Sequence, residues 1–357
     1  MVTALERWLG PTIAEAQARG ADSFGVLRLL LALAVVFSHM GSVTTGDIAA
    51  EPLVRSTGFS LGEHAVNGFF AVSGFLVAMS YERRGLKAYA LARALRIAPG
   101  LVAAALVCAL GIGALMTTKA LGAYLTDGGT WRFVGQTIFT FKSNAELPGV
   151  FQSNPFRFVI GTVWTLKYEI YCYIGLGLAG ALGLLRRRDL VLAAGLALFV
   201  AIMALDVARP DAGKAVQTSL RLPFIFLCGT ALYLWRDRVR LGWPAALGAA
   251  LLAAVLSGTF AYKALMFAAE AYAVLVFALG PLAGKLPEPK ADVSYGTYLY
   301  GWPVQQALHA TFPEAGERWL LVPALAMTLL IAAASWYLVE KPALRLKPGS
   351  GGPSRSE

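Results

Sequence analysis

A chain of 357 residues that is 57% hydrophobic and only 15% charged carries more apolar surface than a water-soluble domain of this length uses, so its solvent is lipid. The net charge of +10 would suggest nucleic acid in a soluble protein, but the basic residues sit mainly in short loops beside apolar stretches, where they report topology and exclude a nucleic-acid partner. Three cysteines, Cys108, Cys172 and Cys228, each fall inside an apolar stretch without paired spacing, which argues against disulfides and against a metal centre.

Residues 1–23 mix Glu6, Arg7, Glu15 and Arg19 and lack the basic-then-apolar order of a cleavable signal. They read as a cytoplasmic N-terminal segment, and the first apolar stretch itself directs insertion. Ten stretches are long and apolar enough for a hydrocarbon core of about 30 Å. They lie near 24–42, 64–80, 97–117, 161–184, 190–206, 218–235, 243–261, 264–284, 292–311 and 319–339. Alternation of period two is absent, and a bilayer cannot satisfy open backbone groups, so the spans must be helices. The expected fold class is all-α: a polytopic integral membrane protein of about ten transmembrane helices over 24–340, followed by a cytoplasmic tail over 341–357.

Basic clusters at Arg83 to Arg96, Arg186 to Arg188, Arg236 to Arg240, Lys285 with Lys290, and Lys341 to Lys347 occupy alternate loops. The positive-inside rule places these loops and both termini in the cytoplasm. Residues 131–141 are apolar but short, and reading them as an eleventh span would put the Arg186 cluster outside. The segment 119–160 is therefore expected to be outer, with two readings open: a partly re-entrant, substrate-facing segment, or a plain outer loop with an interfacial helix.

Several polar residues stand where a membrane should exclude them. In the first stretch Arg28 and His39 stand out, because a charge at bilayer depth costs about 2.5–3.5 kcal/mol. Eleven positions separate them, which brings them to within roughly 20° of one helix face and about 16 Å apart along the axis. Both then line one cavity, with the imidazole as a base for a hydroxyl proton near neutral pH. The alternative is an interfacial histidine and a snorkelling arginine. In the second stretch Gly68, Ser73 and Gly74 allow a helix or a ligand to approach the backbone. Arg93 and Arg96 share a face before the third stretch, suited to clamping phosphates or merely to inside positive charge. The fourth stretch begins with Trp164, Lys167, Tyr168 and Glu169; the aromatic residues suit an interfacial belt, whereas the carboxylate needs a partner such as Arg28, His39 or Lys167. The ninth carries Tyr295, Tyr298, Tyr300 and a kink at Pro303.

Taken in order, these features are similar to those of the acyltransferase-3 family of bacterial membrane acyltransferases. The resemblance runs from Arg28 to Glu340 through Arg28 and His39, FFAVSGFLV at 69–77, RALRIAP at 93–99, WTLKYE at 164–169, SYGTYLYGWPVQQ at 294–306 and VEKPALRL at 339–346. It implies ten helices with cytoplasmic termini in a bacterial inner membrane, and O-acyl transfer from cytoplasmic acetyl-CoA or another acyl-CoA. The implied acceptor is an extracytoplasmic glycan or lipid-linked sugar, with room for polysaccharide-biosynthesis proteins as partners. It also implies a catalytic His39 and a donor site that includes Arg28, Arg93 and Arg96. On this reading Glu169 or another carboxylate orients the imidazole, Ser73 or Tyr168 is the candidate oxyanion donor, and Trp164 lines the donor path. Whether His39 carries the acyl group or only a proton stays open.

The chain departs from the family pattern at Gly25, where an acidic residue is common, and at Gly301, where a histidine often precedes the Trp-Pro pair; His64 has no counterpart in the motifs. A rival reading is a transporter or flippase for a lipid-linked glycan that uses Arg28, His39 and Glu169 as a relay, although no inverted repeat supports it.

Overall fold

The computed structural model describes residues 10–347; Glu6 and Arg7 of the N-terminal segment and the end of the tail lie outside the described residues. Helices dominate, and among the described residues the only β pairing is two isolated bridges, Thr12 with Arg240 and Glu146 with Phe158. Six helical runs are long and apolar enough to cross a membrane: Phe24–Thr45, Leu61–Met116, Arg188–Ala208, Lys214–Leu234, Tyr262–Leu279 and Glu317–Leu344. Large apolar side chains on them face outward, Val200 60% and Leu330 71% exposed, as a lipid-solvated surface requires. The Leu61–Met116 run contains both the second and third expected stretches. They meet at Gly85, whose φ of 70° is a left-handed backbone that glycine adopts without a Cβ clash.

Helices Trp164–Ala181 and Ser294–Thr311 occupy the fourth and ninth stretches, and Pro303 sits within the latter. The seventh stretch is shorter than the sequence suggests. Its helix, Trp243–Val255, has 13 residues and gives way to turns before Tyr262. At 1.5 Å per residue it spans roughly 20 Å.

The chain divides into two compact units. The first comprises residues up to Arg28, Val66–Leu86 and Tyr168–Pro289. Its N-terminal helix Ile13–Ala18 starts in a capping box, Thr12 Oγ1 accepting from the Glu15 N–H and Glu15 Oε2 from the Thr12 N–H. Leu222, Ile225, Phe226, Phe267 and Leu275 are buried in its core.

Small residues set how closely its helices approach. A Cβ on Gly74 would lie 2.0 Å from the Phe226 carbonyl oxygen, and one on Gly229 would lie 2.0 Å from that of Ala71. Two backbones therefore touch where side chains normally intervene, which answers the close-approach expectation for Gly74 with a helix rather than a ligand. Gly74→Ala and Gly229→Ala should each destabilise the protein by about 1–3 kcal/mol through overpacking. Thermal unfolding in detergent checks this, and an unchanged midpoint for both would contradict the close crossing.

The second unit comprises Leu29–Ala65, Lys87–Lys167 and the chain from Lys290 on. Met40, Val304, Leu308, Leu320 and Ala324 form one of its buried clusters. Over residues 131–141 helix Gly128–Gly135 continues as a π turn, Gln136–Thr140, and stops at Phe141 with φ 53°. The irregular backbone that follows is pinned to helix Ser294–Thr311. Gln306 Nε2 donates to the carbonyls of Phe156 at 2.7 Å and Phe158 at 3.1 Å, and Trp302 Nε1 donates to Phe158 at 3.2 Å. Asn154 Nδ2 donates to Gln306 Oε1 at 2.9 Å. Side chains thus satisfy carbonyls that no ladder reaches.

Candidate active site

His39 lies in the last two turns of helix Phe24–Thr45, beside the serines Ser38 and Ser42. The chain turns at Gly46, passes through the short helix Ile48–Ala50 and returns Glu51 to the histidine. Glu51 Oε1 lies 3.0 Å from His39 Nδ1 and 2.7 Å from Ser42 Oγ, while Ser38 Oγ donates to Oε2 at 2.7 Å. The residue is only 6% exposed. Burial by itself pushes its carboxyl pKa upward, but the hydrogen bond from His39, the charge that ring carries when protonated, and the hydroxyls of Ser42 and Ser38 outweigh burial and hold it below the usual glutamate value.

An ionised Glu51 accepts, so His39 Nδ1 carries the hydrogen, and in the neutral imidazole Nε2 presents its lone pair. Nε2 has no hydrogen-bond partner among the described residues, and the His39 side chain is 23% exposed. The imidazole meets the Trp302 ring edge-on at 5.2 Å between centroids, and Trp302 is in turn stacked with Phe158 at 4.9 Å and 11°. The ring is thus oriented on one nitrogen by a carboxylate, packed against an aromatic group, and left with a basic nitrogen able to take a proton from a hydroxyl.

Sequence reasoning missed Glu51. It stands in a polar, loop-like stretch where a carboxylate is unremarkable, and only the chain reversal at Gly46 brings it twelve positions back to His39.

The remaining candidates fall in several places. Arg28 is half-buried near the start of the same helix, eleven residues before His39. Arg93 and Arg96 are half-buried in the second unit, and Arg96 Nη2 lies 3.0 Å from Asp292 Oδ2. The Arg96 guanidinium also stands 5.8 Å from the centre of the Tyr295 ring. Trp164 opens helix Trp164–Ala181 and is half-buried, as is Tyr168 one turn on. Ser73 and Glu169 do come together in the first unit: Ser73 Oγ donates to Glu169 Oε1 at 3.4 Å, and the Tyr173 hydroxyl donates to the same oxygen. Tyr298 hydrogen-bonds with Thr165 and with the Thr162 carbonyl, and Tyr300 is buried, so both belong to the interior rather than to an interfacial belt.

Helices long and apolar enough to cross a membrane, with exposed apolar side chains, define a multi-pass membrane protein. The chain belongs to the acyltransferase-3 family, whose model, an acyltransferase domain, matches residues 22–337; the protein is a membrane acyltransferase. It is 28% identical to nodulation protein 10 of Rhizobium leguminosarum bv. viciae over 91% of this chain and 94% of that protein. It is 25% identical to an O-acetyl transferase of Shigella phage Sf6 over 90% of this chain and 95% of the relative. No solved structure matches the chain.

Proposed function

We propose that this enzyme moves an acyl group, most simply acetyl, from a cytoplasmic acyl-CoA to a hydroxyl of an extracytoplasmic or lipid-linked glycan, with His39 as general base and Glu51 as its orienting carboxylate. The observation that carries the reading is the 3.0 Å contact between His39 Nδ1 and the buried Glu51, which leaves Nε2 as the basic atom. Nε2 removes the acceptor hydroxyl proton as the oxygen attacks the thioester carbonyl. The C–S bond then breaks, and the proton held on the imidazole passes to the departing thiolate. Glu51 stabilises the imidazolium between these events.

At the other end of the helix, Arg28 lies about 16 Å from His39 along the axis. Arg93 and Arg96, in the same unit as His39, supply guanidinium groups suited to the phosphates of the donor, whose flexible arm extends toward the histidine. The O-acetyl transferase from the phage supports acetyl as the group and oxygen as the acceptor atom. The basic loops support a cytoplasmic donor side. The test uses purified protein in bilayers with acetyl-CoA and candidate glycans. Acceptor-dependent thiol release with a glycan heavier by one acyl unit is expected. Glycans of unchanged mass in cells with and without the chain, together with no thiol release, would overturn the proposal.

A further inference from the structure

One buried carboxylate is not used by the His39 and Glu51 chemistry. Glu340 ends the π turn Trp336–Glu340 and is 2% exposed. Its Oε1 accepts from Ser335 Oγ at 3.0 Å, whereas Oε2 is buried and has no hydrogen-bond donor among the described residues. An ionised oxygen left bare in the interior is unfavourable by several kcal/mol, on the order of a lost charged hydrogen bond or more. A carboxylate kept ionised there needs a positive group facing it in the working state.

The surroundings name that group. Gly100 lies one helical turn after Arg96 and on the same face. A Cβ there would stand 2.7 Å from Tyr295 Cε1 and 3.4 Å from Glu340 Cγ, so the missing methyl admits both the tyrosine ring and the glutamate stem. The same Tyr295 ring carries the Arg96 guanidinium, and the charges acting on Glu340 are those of Arg96 and Asp292. One guanidinium thus holds one carboxylate in contact and acts on a second through its charge, and the two differ in setting. Asp292 is on the open side, 23% exposed and in contact at 3.0 Å, and Glu340 is enclosed. An incoming phosphate would repel Asp292 from Arg96 on the open side but would not reach Glu340.

We propose that Glu340 is a positioning residue that anchors Arg96 from the buried side, while Asp292 is a displaceable counter-ion that yields to a phosphate of the acyl donor. The inference rests on the reading of Arg96 as a donor-phosphate ligand. Asp292 then competes with the donor, and Glu340 assists it, so removing the two charges has opposite effects on donor affinity.

The experiment measures donor KM and kcat in bilayers, with adenosine 3′,5′-bisphosphate as the competing phosphate probe, for the wild type, Glu340→Gln and Asp292→Asn. Glu340→Gln should raise donor KM about tenfold and weaken the probe equally, with kcat at saturating donor largely kept. Asp292→Asn should lower both constants by about threefold. A purely structural role for Glu340 would lower the amount of folded enzyme without this split. Constants that move in the same direction, or do not move, overturn the proposal. If Glu340→Gln does not accumulate in the membrane, Asp292→Asn decides alone, and unchanged or weaker donor binding rejects the competition. Failure of the wild type to bind the probe or use the donor would instead refute the donor-site reading beneath it.

Discussion

Replacing His39 by asparagine should lower acyl transfer about 10²–10⁴-fold while leaving the protein folded in the membrane, since that is what a positioned general base contributes. Asparagine is the informative substitution because its amide nitrogen takes the place of Nδ1 and can still donate to Glu51, so the buried carboxylate keeps a partner. What it lacks is Nε2. His39→Ala should lose activity equally but also leave Glu51, 6% exposed, with hydroxyl donors alone. That costs about 1–3 kcal/mol of stability. Acyl transfer and unfolding temperature measured side by side separate the two effects: both variants inactive, and only the alanine markedly less stable. Transfer by His39→Asn at the wild-type rate would remove the base from the mechanism, because no other atom of that side chain can take the proton.

The sequence made the membrane architecture legible because insertion into lipid demands long apolar runs, and such runs leave few alternatives. Helices occupy all ten expected stretches, although the second and third are joined through Gly85 and the seventh stops at Val255. Half of the proposed catalytic pair was legible in the same way: His39 is conspicuous in a stretch of leucine, alanine and valine. Glu51 was not, because carboxylates are ordinary in loops and its importance arises from a chain reversal that periodicity does not encode. Glu169 drew attention by the opposite route, as a charge inside a span, and the structure gives it Ser73 and Tyr173 as neighbours. Arg221 and Glu270 have the same intramembrane character and were passed over, having no motif around them. Arg221 is 2% exposed, 5.9 Å from the Phe267 ring centre, and Glu270 accepts from Asn67 Nδ2 at 2.7 Å. Charge inside a span therefore flags a buried polar contact, and only geometry tells which contact adjoins a reactive nitrogen.

Glu51→Gln should lower kcat about 10²–10³-fold with little change in donor KM, because the amide preserves the shape and one acceptor but withdraws the negative charge that stabilises the imidazolium. The pH dependence of stability gives a second reading of the same group. Its folded pKa is depressed, so the stability it contributes is fully present above the ordinary glutamate value of about 4.3 and is lost as pH falls through the lower folded value. The wild type should therefore lose unfolding temperature relative to Glu51→Gln on acidification below about pH 4.3, and the difference between them should be constant above it. A variant that retains full kcat would reduce Glu51 to a structural link between Ser38, His39 and Ser42. Parallel melting curves through the acid range would mean that the carboxylate is not held ionised by those three donors, and the orientation of His39 through Nδ1 would lose its physical cause.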